Sequence, residues 1–393
     1  MKLFLILTFL LIFSFLFHLF TPSYLNNNKW PADNIDHYSK SLSEHYRYHT
    51  EFSVFKKRIV FTHTLQWLQK LTGVNVFKLY FPLQFFYLFV GGIVLIQFSK
   101  SLGLGFKIIA LNLIGYFFTL SNLFHHFVPM YTYDELSQYP FALLALWAIY
   151  MEKYNVLGFL AVCMALLARE SFFILFPFLC IFMFFSHGIK NIYMWKKIVI
   201  FFVIPTILYF FYLKIYQFKD VDDRILHFQR NLSSSRVFFT CLFGFMMNMC
   251  IPLLLIYINL KRNLIVSFKE RLWYYAFLGT TILNGLIVMF TTQAWESRLF
   301  VIPLYMFWPF MGLLIGRFFT HLKTINAFQF PTIRQLIFAL VVSVISYFSY
   351  YHYDSTFRIG YSIYFAIYMF IFSQIIIIYL NSKKFQVLSK SPI

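Results

Sequence analysis

Apolar runs long enough to cross a bilayer recur along almost the whole chain, and they leave it few ways to fold. A crossing helix needs about 20 predominantly apolar residues, within a tolerated range of about 17–25. Twelve runs approach that length: 3–20, 79–98, 107–124, 137–151, 155–168, 171–186, 198–216, 237–259, 272–291, 299–319, 335–351 and 360–380. Those at 137–151, 155–168 and 171–186 are short, so one of them could be a re-entrant half-span. Hydrophobic residues make up 60% of the 393 residues, charged residues only 12%, and the mean hydropathy is +0.70. A water-soluble chain of this size could not hide that much apolar surface, so the fold class is an all-α, polytopic membrane helical bundle. The opening "MKLFLILTFLLIFSFLFHLF" has one Lys and no small-residue cleavage site after it, and it reads as a retained first span.

The net charge of +19 would suit nucleic acid if it lay on one soluble face. Instead the basic residues fall in short segments between apolar runs. With the N-terminus in the cytosol and strict alternation, the inner segments hold Lys2, Lys100, Lys107, Lys153, Lys190, Lys196, Lys197, Lys261, Arg262, Lys269, Arg271, Arg317, Lys323, Arg334, Lys383, Lys384 and Lys390. This agrees with the positive-inside rule and puts the C-terminus inside too. Of the 14 acids only Glu152 and Glu270 fall inside; the other twelve fall outside. The four cysteines all sit within apolar runs without metal spacing, and they read as packing residues.

One outer segment stands apart. About 55 residues, 21–78, separate the first two spans and contain "NNNKWPADNIDHYSKSLSEHYRYHTEFSVFKKRIVFTHTLQWLQKLTGVNVFKL". Asn, Pro and Asp mark turns at its start. Helical spacing then predicts surface helices, with Val60, Thr64, Trp67, Leu68 and Leu71 sharing one face laid on the membrane. A connector between two spans does not need this length.

Nine of the twelve outer acids fall in five places: Asp33 and Asp36 beside His37; Asp134 and Glu135 in "YTYDELSQY"; Glu170 beside Arg169; Asp220, Asp222 and Asp223; and Glu296 beside Arg298. The third and fifth places resemble one another, since Arg169-Glu170-Ser171 and Glu296-Ser297-Arg298 each open an apolar helix with a Pro further on. Arg can grip a phosphate with two parallel hydrogen bonds, and a partly buried carboxylate can act as a general base on a hydroxyl. A bare Arg-Glu pair can equally be a hairpin tip closed by a local ion pair, and Asp134-Glu135 a solvated turn. No nucleotide fingerprint, Gly-rich phosphate loop or Ser-His-Asp order is present in the sequence.

These features resemble the GT-C superfamily of integral membrane glycosyltransferases over about residues 1–320. The match rests on "ADNIDHY" after the first span, on "YDELSQYPFALLALWAIYMEKYNVLGFLAVCMALLARESFFILFPFL", and on "ESRLFVIPLYMF". The resemblance implies a single integral membrane domain over 1–393 of about twelve spans, both termini inside, with a core over 1–320 and additional spans over 321–393. It implies inverting transfer of a sugar from a polyprenyl-phosphate-linked donor to a glycan, lipid or protein acceptor on the extracytoplasmic face. Asp33 or Asp36 would be the catalytic base, Asp134 and Glu135 a second acidic position, and Arg169, Glu170, Glu296, Arg298 and His37 substrate or phosphate contacts. A divalent cation, Mg or Mn, would be held by Asp33 with Asp134. Heavy use of Phe, Ile, Lys and Asn fits an AT-rich bacterial genome, and so a bacterial plasma membrane. The rival readings are a lipid-linked sugar flippase or transporter and an O-antigen-type polysaccharide polymerase. Transporters tend to carry internal repeats and ionisable residues deep within their spans, whereas the polymerase is expected to have its large outer loop late in the chain.

Overall fold

The computed structural model describes residues 2–20, 42, 46–51, 53–124, 134–188, 191–216, 224–265, 267–292, 297–324, 331–353 and 358–388. Helix is the regular structure throughout, and no strand occurs among the described residues. In chain order the main helices are α1 (Lys2–Phe20), α2 (Ile59–Thr72), α3 (Val76–Ser101), α4 (Phe106–Phe117), α5 (Glu135–Met151), α6 (Asn155–Ala168) and α7 (Phe176–His187). They continue with α8 (Ile192–Ile215), α9 (Ser235–Lys261), α10 (Phe268–Thr291), α11 (Met311–Thr324), α12 (Ile333–Tyr353) and α13 (Arg358–Leu388). Seven stretches are long and apolar enough to cross a membrane: Val76–Ser101, Glu170–His187, Ile192–Ile215, Ser235–Lys261, Phe268–Thr291, Ile333–Tyr353 and Gly360–Ser382. Shorter apolar helices occupy α1, α4 and α6.

The centre of the bundle is α5. Thirteen of its 17 residues are buried, so it is enclosed on nearly every side, as an all-round apolar helix must be. It packs on α3 and α6. By contrast, α12 and α13 pack mainly on each other and on α9, and α12 leaves Ile333, Phe338, Ile345 and Phe348 exposed.

Two irregularities have identifiable causes. The apolar run 299–319 is not one helix. It is broken into a 3-10 turn (Ser297–Val301), a single α turn (Leu304–Phe307), a 3-10 turn (Trp308–Phe310) and α11, because Pro303 and Pro309 cannot donate to the ladder. Asn112, fully buried on α4, repairs the second break: its Nδ2 donates to the Pro309 carbonyl at 2.7 Å and its Oδ1 accepts from the Gly312 amide at 2.6 Å. Freed backbone groups at membrane depth need such internal partners. Gly312 permits this approach, since a Cβ there would lie 2.3 Å from the Ile108 carbonyl oxygen. A π turn over Val199–Val203 interrupts α8 just before Pro205.

The α2 face departs from its expected pattern. Val60 is buried together with Phe61, Thr62 and Leu65, whereas Trp67 and Leu71 are exposed. The reason is that α2 packs sideways on α3 and α6, with Thr64 Oγ1 3.2 Å from the Tyr87 hydroxyl. The helix therefore has one apolar side for protein and another left outward.

Ion pairs respect the two sides assigned by charge. Each described pair joins groups of the same side: Arg47, Lys57, Arg58 and Arg169 with Glu51, Asp134, Glu135 and Glu170, and His187, Lys197, Lys269 and Arg317 with Glu152 and Glu270. Glu152 sits just past α5 in the left-handed conformation, φ 59°. It receives His187 Nε2 at 2.8 Å, Lys197 Nζ at 3.3 Å and Lys269. Burial works to raise its pKa, but Lys269, Lys197 and His187 hold it below the usual range. A depressed carboxylate stabilises the fold above its unfolded-state pKa and loses that contribution as pH falls through the folded value. Thermal unfolding in detergent over about pH 3–7 should therefore show a loss of stability below about pH 4 that Glu152→Gln lacks; parallel curves for the two proteins would refute it.

Candidate functional site

Four separated segments meet where α5 begins and α6 ends. The first is the link ahead of α2. Arg58 is 12% exposed at its side chain, and its Nε and Nη2 donate to the two oxygens of Glu170 at 2.9 and 2.8 Å. Its Nη1 donates to Asp134 Oδ2 at 3.1 Å. Lys57 adds a second cation 3.5 Å from Glu170, and its carbonyl accepts the Tyr212 hydroxyl at 3.2 Å. The Arg58 guanidinium also lies 4.9 Å from the centre of the Phe55 ring.

The second segment is the start of α5. Asp134 is its N-cap and Glu135 its first residue, where a negative charge complements the helix dipole. Both are only 2% exposed, so neither is a solvated turn residue. Arg169 bonds Glu135. Burial works to raise the Asp134 pKa, yet Arg58, Arg169 and His49 overcome it and hold the carboxyl below its ordinary value. Burial opposes the charge on Arg58 too, and Glu170 and Asp134 outweigh it, leaving the guanidinium firmly protonated.

The third segment is Arg169-Glu170. A local ion pair between neighbours is not what holds this turn, because the two side chains serve different partners. Arg169 has extended backbone (φ −164°, ψ 127°) between the end of α6 and the 3-10 turn Glu170–Leu175. Successive side chains on extended backbone diverge. One therefore reaches Glu135 while the next reaches Arg58, 112 residues back in the chain. The stretch turns the chain and also forms the wall of the cluster.

The fourth segment is the broken helix near residue 305. Gln138 joins it to the rest: Nε2 donates to the Arg169 carbonyl at 2.6 Å and to the Ala165 carbonyl at 3.2 Å, and Oε1 accepts the Tyr305 hydroxyl at 3.0 Å. Gln138 thereby adds a second donor to two carbonyls that already accept the Arg169 and Phe172 amides at the end of α6. Beneath it Tyr139, Tyr116, Tyr305 and Trp308 pack edge-on and tilted at 4.9–6.4 Å. The Tyr139 hydroxyl donates to Ser121 at 3.0 Å and the Trp308 indole to Thr119 at 2.9 Å, so the polar tips of these buried rings are paired.

The cluster thus gathers Asp134, Glu135, Arg169 and Glu170 with Lys57 and Arg58. Asp33, Asp36, His37, Asp220, Asp222, Asp223 and Glu296 lie outside the described residues. Arg298 belongs to the turn Ser297–Val301. Sequence reasoning missed Lys57, Arg58, Gln138 and Tyr305. The signal available was "FKKRIV": three consecutive cations in a segment that the charge pattern assigns to the outer side, where the positive-inside rule predicts few.

Three cations, Lys57, Arg58 and Arg169, face three carboxylates, Asp134, Glu135 and Glu170, so the formal charge sums to zero. Such a set holds guanidinium groups rigidly. It does not suit a divalent cation, which needs carboxylates without other counter-charges; Asp134, the described half of the expected metal pair, is committed to Arg58. No group of three or more His, Cys, Asp or Glu fit to hold a metal occurs among the described residues.

Fold and cluster define a polytopic helical membrane protein with a charge-compensated polar centre at one end of its bundle. Comparison with protein-family models, curated proteins and solved structures found no match to this chain.

Proposed function

We propose that the protein is an inverting membrane glycosyltransferase of the GT-C type. It transfers a sugar from a polyprenyl-phosphate-linked donor to a glycan, lipid or protein acceptor at the extracytoplasmic face of a bacterial plasma membrane, in cell-envelope glycan or glycolipid synthesis. In this reading its chain crosses the membrane about twelve times with both termini in the cytosol. The observation that carries the reading is the meeting of Arg58 and Arg169 with Asp134, Glu135 and Glu170 at one bundle end. Arg58 belongs to the same outer segment that contains Asp33, Asp36 and His37 in sequence.

In this reading Asp33 or Asp36 removes the proton of the acceptor hydroxyl as its oxygen attacks the anomeric carbon. The bond from that carbon to the phosphate oxygen breaks, and the lipid phosphate leaves with the electron pair. The carboxylates of Asp134, Glu135 and Glu170 fix Arg58 and Arg169 in place beforehand, and fixed cations are what a developing phosphate charge needs. Arg58 gives three of its five N–H donors to carboxylates, so donors are left for a phosphate oxygen. Glu296, Arg298 and His37 complete the substrate contacts.

The purified full-length chain, given a polyprenyl-phosphate sugar and envelope glycan acceptors in vesicles, should release free polyprenyl phosphate. Movement of the intact lipid across the vesicle without cleavage would replace the enzyme with a flippase.

A further inference from the structure

The geometry points to a second lipid site, distant in character from the outer cluster: a groove for one anionic glycerophospholipid of the cytosolic leaflet, between α1, α3 and the start of α4. A cavity of about 370 Å³ opens there, with Phe4, Ile93 and Phe106 among its apolar walls and Lys2, Gln97 and Lys100 as its polar lining. Phe4 and Phe106 are exposed, so the walls face the surrounding hydrocarbon and not a sealed interior. Leu7, also on its wall, is fully buried and nests against Gly92, where a Cβ would come within 2.5 Å of it; the absence of a side chain there lets α1 close one flank.

The polar end has one sign of charge. No carboxylate lines the cavity. This differs from Lys197 and Lys269, which share Glu152. Lys2 begins α1 and Lys100 lies in the last turn of the antiparallel α3, so both lysines stand at the level assigned to the cytosolic interface. The amide groups of the first turn of α1 add a partial positive charge there. An apolar slot open to lipid with two cations and an amide side chain at its interfacial end fits acyl chain and phosphate together. The charge complementarity selects a lipid with a net negative head over a zwitterionic one.

The test uses the purified full-length chain in detergent, with phosphatidylglycerol and phosphatidylcholine offered in equal amounts and retained lipid counted by native mass spectrometry. Each lysine near an anionic head is worth about fivefold in affinity, so the native chain should retain phosphatidylglycerol at least about tenfold more than phosphatidylcholine. Lys2→Gln/Lys100→Gln should bring that ratio near one with total lipid unchanged, and should unfold at the native temperature in phosphatidylcholine. Lys70→Gln/Lys78→Gln, two lysines outside the groove, should keep the full preference. An equal ratio in the native chain, or an equal loss in both variants, would overturn the site. So would displacement of the lipid by millimolar inorganic phosphate, which would mark a free-anion site instead.

Discussion

Replacing Arg58 with Gln should destabilise the protein by about 3–5 kcal/mol, the range for removing one partner of a buried ion pair. The substitution leaves Asp134, 3% exposed at its side chain, and Glu170, 26% exposed, without the cation that serves both. Lys57 stays near Glu170, at 3.5 Å, a longer contact than the 2.8 Å one from Arg58. Arg58→Lys should also fall short, because an ammonium cannot reproduce the fork that spans two carboxylates. The cause is separable from lost packing. Adding Glu170→Gln to Arg58→Gln removes one uncompensated charge, and it should restore part of the loss as a positive coupling in a double-mutant cycle. Thermal unfolding in detergent of these three variants and of the Glu170→Gln single variant completes the cycle. An Arg58→Gln protein within about 0.5 kcal/mol of the native chain would mean that the carboxylates do not depend on it.

Asp33→Asn or Asp36→Asn, whichever removes the base, should lower turnover about 10²–10⁴-fold, the usual contribution of a positioned general base. Donor binding should be nearly unchanged, since in the proposed mechanism the base acts on the acceptor and the arginines hold the phosphate. Single-turnover release of lipid phosphate and equilibrium donor binding, measured on the same preparations, separate the two effects. Full activity in both variants would take the first outer segment out of the chemistry. Loss of donor binding with turnover would give these residues a binding role instead.

Much of the architecture could be read from residue spacing, and specific physics explains what could not. The apolar runs 137–151 and 155–168 match α5 and α6 within two residues because a buried helix needs a continuous apolar surface, and charged residues such as Asp134, Glu152 and Arg169 stand at its limits. The run 299–319 looked equally continuous but is broken, since hydropathy is blind to the missing N–H groups of Pro303 and Pro309. On α2, periodicity alone could not say which of two apolar sides meets protein. In the cluster, Asp134, Glu135, Arg169 and Glu170 stood out because charge is scarce near an apolar run. Arg58 did not, because its role depends on partners 76 and 112 residues away. Gln138 and Tyr305 were hidden for a further reason: uncharged side chains in an apolar run show their importance only through the carbonyls and hydroxyls they meet.

The distance along the chain between Arg58 and Glu170 bears on how the protein is made. A ribosome delivers Arg58 first, and its bidentate partner emerges 112 residues later. Until Asp134 follows, 76 residues after Arg58, the nascent N-terminal portion carries a cation with neither carboxylate partner, and until Glu170 it has only one of the two, so the segment ahead of α2 has reason to stay hydrated until α6 is in place. Docking of the segment ahead of α2 then becomes a late event in biogenesis, completed when Glu170 is synthesised, and chains truncated before that residue would carry it undocked.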